Sequence, residues 1–104
     1  MELVYIKKML DKTGLPVAYH HFNNAMSAPF LVYCISETEY FYADDTQHMQ
    51  KNTLRIELYT DIKDVATERN LESILSAAGI CFLKSEIWID EEKLYEIIYE
   101  SEVI

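Results

Sequence analysis

Apolar and polar residues alternate in the second half of the chain as they do in a strand buried on one side. In the segment LRIELYT, Leu54, Ile56 and Leu58 point one way and the residues between them point the other way. The segment YEIIYE near the end repeats this pattern in part, with Tyr95, Ile97 and Tyr99 on one face. The spacing therefore predicts a sheet with one apolar face that needs a covering layer.

The other elements follow from similar patterns. Apolar residues at helical spacing predict two amphipathic helices, and runs rich in Val, Ile, Tyr, Phe and Thr predict strands. The predicted helices span 2–13 and 64–78, and the predicted strands span 17–22, 30–42, 48–60, 80–89 and 94–100. This order, α-β-β-β-α-β-β, is typical of an α+β fold with two helices packed on an antiparallel sheet, a mixed sheet being the alternative.

Local residues indicate where the helices end. Gly14 and Gly79 follow the two apolar stripes, and glycine adopts the positive φ of a helix C′ position without strain. Asp61 and Asp64 precede the second helix, where a carboxylate suits the helix dipole. The first stripe contains Leu3, Ile6, Met9 and Leu10, and the second contains Leu71, Ile74, Leu75 and Ala78.

The length and net charge of the chain narrow the classes of function that it can have. A chain of 104 residues is a single domain, 1–104, that can bury a modest core without disulfides. The net charge is −9, and this field repels nucleic acid and anionic membranes. Solubility alone explains such a balance. The two more specific explanations are an inhibitor that mimics DNA and a wall past which DNA slides without sticking.

Two cysteines, Cys34 and Cys81, lie in apolar strand-like runs. A disulfide framework normally uses more cysteines, so we expect buried free thiols in a reducing cytosol. Neither cysteine has a neighbouring basic residue that would activate it as a nucleophile.

Histidines and acidic residues offer weak metal or catalytic candidates. His20 and His21 are adjacent on a predicted strand, so they should face opposite sides and not share a metal. Asp44 and Asp45 with His48 could hold a divalent cation, but a solvated acidic loop over 43–47 is the simpler interpretation.

The acidic turn 90–92 lacks the apolar pocket that acid–base catalysis by a carboxyl group needs. We therefore expect no enzyme, no metal and no cofactor. A small metal-dependent enzyme that uses His20, His48 and the Asp44–Asp45 pair remains the weakest of the alternatives.

Tyrosine is unusually frequent, with 8 residues, many of them on predicted strands. Such residues either pair across strands or supply contacts between proteins. Phe41 lies in one aromatic run, and Met26 is a single apolar residue in the polar loop 23–29.

Several segments together resemble the tail completion proteins of siphophages and prophages of Gram-positive bacteria, also described as tail terminator or head–tail joining proteins. The matching segments are TGLPVAYHHF, APFLVYC, YFYADDTQH, LRIELYTDIKD, LESILSAAGICFLKSEIWI and EKLYEIIYE. They cover most of the chain in order. The loop after Phe22 and the residues after Tyr99 do not contribute.

The resemblance implies a virion protein without enzymatic activity. Members of this family form a ring, commonly a hexamer, at the end of the tail tube that faces the head. The implied partners are further copies of the chain, the tail tube protein and the head-completion or connector protein. DNA would pass through the lumen without specific binding, and assembly would take place in the bacterial cytoplasm. In such a ring we expect Met26, Phe41, Asp44 and Asp45 to contact a neighbouring subunit or face the lumen. An acidic protein that inhibits a host DNA-binding enzyme is the alternative function.

Overall fold

Within the part of the chain that the structure describes, two helices and five strands follow one another in the predicted order. The computed structural model describes residues 1–43 and 46–104, and for 43 and 46–48 it describes the backbone alone. The elements are α1 (Leu3–Asp11), β1 (Val17–Tyr19), β2 (Phe30–Ala43), β3 (Thr46–Thr60), α2 (Val65–Ala77), β4 (Leu83–Ile89) and β5 (Leu94–Val103). The α+β class and the element order are confirmed.

The five strands form one mixed sheet in the order β1-β2-β3-β5-β4. Strand β1 is parallel to β2, whereas the β2–β3, β3–β5 and β4–β5 pairs are antiparallel. The mixed alternative is therefore the correct one. The ten-residue connection 20–29 lets the chain return to the same end of the sheet before β2 begins.

Both helices lie on one face of the sheet and bury the predicted apolar stripe of β3. Leu54, Ile56 and Leu58 are 0%, 2% and 0% exposed. The helices contribute Ile6, Met9, Leu10, Leu71 and Leu75 to the same cluster. Leu3, predicted on the apolar face of α1, is exposed, because packing against the sheet begins one turn later at Ile6.

The ends of α2 have the predicted geometry, whereas α1 ends at Asp11 with Lys12 as its C-cap and so stops earlier than the predicted end before Gly14. The side chain of Asp64 accepts a hydrogen bond from the backbone N–H of Thr67 at 3.1 Å and caps α2. At the other end, Gly79 has φ +76°, and the N–H groups of Gly79 and Ile80 donate to the carbonyls of Ser76 and Leu75. This pattern is a Schellman motif.

Two predicted strands are too long. Strand β4 begins at Leu83 and not at Ile80, because Ile80 belongs to the C-terminal motif of α2. Strand β1 ends at Tyr19, because His20 adopts a positive φ of 67° and turns the chain away. The predicted loop 43–47 is also shorter than expected, since β2 reaches Ala43 and β3 starts at Thr46.

Strands β2 and β3 continue beyond the rest of the sheet as a two-stranded ribbon. Strand β1 pairs with β2 only as far as Tyr33, and β5 pairs with β3 only as far as Asn52. We call the ribbon of residues 37–43 and 46–51 the arm. It makes the molecule elongated: the radius of gyration is 15.0 Å, against about 13 Å for a compact chain of this length.

Candidate assembly surfaces

The arm carries large exposed side chains. Tyr40, Phe41, Tyr42 and Met49 are between 42% and 66% exposed. Phe41 and Met49 are opposite each other in the β2–β3 register, so they form a cross-strand apolar pair. No described residue of the arm belongs to the core cluster that the two helices form with the sheet, so neither helix covers this part of the sheet. The arm is therefore an apolar surface with no cover in the monomer.

Strand β4, at one edge of the sheet, exposes apolar side chains on both of its faces, Leu83 and Ile87 on one and Trp88 on the other. Leu83, Ile87 and Trp88 are 81%, 49% and 44% exposed. Trp88 leans on Tyr95 of β5 with ring centroids 4.7 Å apart, which leaves its outer side open. Within the described chain β4 pairs only with β5, so its other edge is unpaired.

A network of charged side chains holds β4 against α2. Glu68 is 2% exposed and lies between two lysines, at 2.8 Å from Lys63 Nζ and 2.7 Å from Lys84 Nζ. Lys84 also contacts Glu72 at 2.7 Å, and the Tyr99 hydroxyl donates to the same carboxylate at 2.7 Å. The network fixes Lys84 toward α2 and away from the free edge.

The pKa of Glu68 reflects this network. Burial alone would raise its pKa, but the hydrogen bonds from Lys63 and Lys84 outweigh burial and lower it. The same balance lowers the pKa of Glu72, which Lys84 and Tyr99 hold. Both carboxyl groups are therefore ionised at neutral pH and suit a structural role.

The sheet face opposite the helices combines aromatic and acidic residues. Phe30 stacks on Tyr59 with ring centroids 4.9 Å apart, and Phe22 meets the edge of Phe30 at 5.6 Å. The Tyr59 hydroxyl lies 2.8 Å from a carboxylate oxygen of Glu57 and 2.8 Å from one of Glu96. Burial raises the pKa of Tyr59 most, and the contacts with Glu96 and Glu57 raise it further. The phenol therefore stays protonated.

The structure places two of the predicted contact residues, Met26 and Phe41, far apart. Met26 is 39% exposed and lines a hollow of about 330 Å³ with Phe30 and Tyr59. Phe41 lies eleven residues along β2 from Phe30, roughly 36 Å away at strand spacing. Asp44 and Asp45 lie outside the described residues, as does the side chain of His48. The lumen prediction for the two aspartates therefore stays a prediction.

The prediction that His20 and His21 face opposite sides of a strand is wrong. Both are exposed, and their Nδ1 atoms are 3.1 Å apart, because the positive φ of His20 breaks the strand alternation. One ring can donate to the other in the neutral state. Among the side chains that the structure describes, which exclude those of residues 43–48, no group of three or more potential metal ligands forms.

The two cysteines and the acidic turn do not have the surroundings of catalytic groups. Cys81 is exposed and precedes β4, whereas burial had been expected. Cys34 is half-buried, and burial, with the charge of Glu57 adding to it, raises the pKa of its thiol. Hydrogen bonds from Lys93 and the Trp88 indole hold the pKa of Asp90 below its usual value, so this carboxyl group is no proton donor at neutral pH.

Neither helix in the described chain has the length and apolar character that crossing a bilayer requires.

The α2–β4 network and the exposure of β4 were not predicted from the sequence. Lys84 and Glu68 are sixteen positions apart, and nothing local to either residue points to the other. A detectable signal did exist for β4: the polar run of Lys84, Ser85 and Glu86 inside an apolar segment is typical of a strand without full cover.

Comparison with known proteins gives a match at the level of fold. No model of a known protein family matches the chain, and no curated protein matches it significantly. Among solved structures, the chain is similar to one chain of a structure described as the virion of a native gene transfer agent particle. The match has a TM-score of 0.64 and 13% sequence identity, and it covers 90% of this chain and 81% of that chain. At this identity the shared property is the fold.

Proposed function

We propose that the protein is a structural component of a phage-like particle, which caps the tail tube as a ring and joins the tail to the head. The observation that carries the proposal is the fold shared with a chain of a gene transfer agent virion over 90% of the protein. The resemblance of segments such as LRIELYTDIKD to tail completion proteins supports the same role from the sequence.

The surfaces of the monomer suit a protein that works by assembly. The arm and the β4 edge expose aromatic and aliphatic side chains, and large aromatic residues are enriched where proteins meet. The side chains with perturbed pKa values, Glu68, Glu72 and Tyr59, contact charged partners in structural networks that lock each of them in one protonation state. These features support contact with partner proteins over chemistry on a substrate.

The charge of the protein suits a ring through which DNA passes. With a net charge of −9, the lumen of such a ring would repel phosphates and would not retain the passing strand. In this proposal six copies form the ring, one rim binds the tail tube protein and the other binds the head-completion or connector protein. The acidic residues 44 and 45 would face the lumen or a neighbouring subunit.

Electron microscopy of growing tail tubes tests the proposal. Tail tube protein from the cognate particle is polymerised with and without this protein, and tube lengths and ends are recorded in negative stain. We expect shorter tubes with ring-shaped density at one end. Tubes of unchanged length with bare ends would contradict the capping role, and recovery of a basic DNA-binding enzyme from host lysate would then favour the inhibitor.

A further inference from the structure

Within the described residues each molecule has several unpaired sheet edges, and the two longest lie on opposite sides of the sheet. One is the outer edge of β4, residues 83–89, at the end of the strand order. The other is the outer edge of β2 in the arm, residues 37–43, on the side of the sheet where β1 lies. Each edge is seven residues long, about 23 Å at strand spacing. Beyond Glu37 and within the described residues, β2 pairs only with β3.

The devices that usually prevent strand pairing are weak on the β4 edge, because its charged side chains, Lys84 and Glu86, are both held in ion pairs. It contains no proline, and its register with β5 runs without a bulge from Leu83 to Ile89. Its only lysine, Lys84, is bound to Glu68 and Glu72. Leu83, Ile87 and Trp88 remain exposed along it. An edge of this kind pairs readily with another strand.

We infer that neighbouring copies join by strand addition, with the arm of one molecule pairing along β4 of the next. The arm supplies an unpaired edge of the same length and exposes Tyr40, Phe41 and Tyr42 to match the apolar side chains of β4. The two edges lie on opposite sides of one sheet, so they cannot pair within a molecule. Such a head-to-tail contact closes into a ring when the rotation per copy allows it.

This inference deepens the proposed function and rests on it for the closed ring. It also makes a separate claim, namely that the two interacting surfaces are different. A variant that lacks one surface therefore keeps the other, which is what the following experiment uses.

Two variants each remove one surface. In the first, Leu83→Asp places a charge on the β4 edge at a side chain that is 81% exposed, so the monomer core is untouched. In the second, residues 40–50 are replaced by Asn-Gly, which joins the opposed residues Glu39 and Lys51 in a two-residue hairpin turn. The control is Ile62→Asp, a similarly exposed position outside both surfaces.

Analytical ultracentrifugation at the highest soluble concentration measures the assembly, and negative stain on tail tubes repeats it. We expect the wild-type chain and Ile62→Asp to form oligomers, whereas each of the two surface variants alone stays monomeric. A mixture of the two variants should form heterodimers and nothing larger, because the intact arm of Leu83→Asp can pair with the intact β4 of the shortened chain. Circular dichroism verifies that each variant is folded.

Several outcomes would overturn the inference. These are surface variants that oligomerise as the wild type does, a mixture that contains only monomers although the wild type assembles, and a wild-type chain that associates neither alone nor on tubes. The failure of the capping role is distinguishable from these results. If the mixture forms heterodimers but tubes remain bare, strand addition holds and the tail-capping function falls.

Discussion

Strand β3 crosses two regions of the molecule that share a backbone geometry and differ in what covers them. Between Asn52 and Thr60 every second side chain is buried, with Leu54 and Leu58 at 0% exposure. In the arm, Met49 of the same strand is 46% exposed. The helices α1 and α2 account for the difference, because they cover only the first of these regions.

This contrast separates stability from assembly. The covered region buries apolar surface and therefore provides most of the folding free energy. The arm makes few contacts with the rest of the monomer, so its aromatic side chains contribute little until a partner covers them. Substitutions in the two regions should accordingly have different consequences.

The largest expected effect comes from the covered region. Ile56→Ala should lower the free energy of unfolding by about 2–5 kcal/mol, because it opens a cavity among side chains that cannot collapse into it. Met49→Ala, in the uncovered part of the same strand, should change the free energy of unfolding by less than about 0.5 kcal/mol. Urea denaturation of both variants measures the difference. Equal losses would mean that the arm is covered in the monomer.

The network between α2 and β4 should have the next largest effect. Glu68→Gln removes the charge that Lys63 and Lys84 share, and the partly exposed lysines can regain water. We expect a loss of about 1–3 kcal/mol in the free energy of unfolding near neutral pH. Chemical denaturation at pH 7 is the measurement, with Glu91→Gln on the exposed turn as the control.

The same carboxylate makes the stability depend on pH. Its pKa is lower in the folded state than the ordinary value of 4.5, so its contribution is complete above that value and disappears as the pH falls through the lower folded pKa. The wild-type protein should therefore lose more stability than Glu68→Gln between about pH 5 and pH 3. Parallel pH curves for the two proteins would contradict this assignment.

The sequence predicted the covered region better than the exposed one, and the reason is physical. Alternation in LRIELYT specifies which side chains share a face, and Asp64 and Gly79 mark helix ends through local backbone chemistry. Alternation does not reveal whether a face is covered. The aromatic run around Phe41 therefore predicted a strand correctly without showing that the strand leaves the sheet.

The errors at the candidate site have similar causes. The backbone of His20 turns at a positive φ, which no rule for strand alternation anticipates. Cys81 lies in an apolar run but precedes the first paired residue of β4, so the predicted burial fails. The pairing of Lys84 with Glu68 depends on how α2 lies on β4, which is a property of the whole fold.

A smaller loss of stability is expected from a substitution at the C-terminal end of α2. Gly79→Ala should destabilise the protein by about 1 kcal/mol, because alanine disfavours the φ of +76° at this position. An added Cβ would meet nothing within 4 Å, so the cost comes from the backbone alone. Thermal unfolding measures it. Gly79→Asn should recover part of the loss, since asparagine tolerates this conformation better.

The smallest expected effect on the monomer comes from the arm, and it should accompany a large effect on assembly. Phe41→Ser replaces an exposed ring that lies opposite Met49 across the ribbon, so the free energy of unfolding should change by less than about 0.5 kcal/mol. If the arm pairs with a neighbouring β4, the same substitution should weaken oligomerisation, because its apolar side chain is lost from the interface. Denaturation and sedimentation of one preparation measure both quantities. A variant that loses monomer stability but assembles normally would reverse the roles assigned to the two regions.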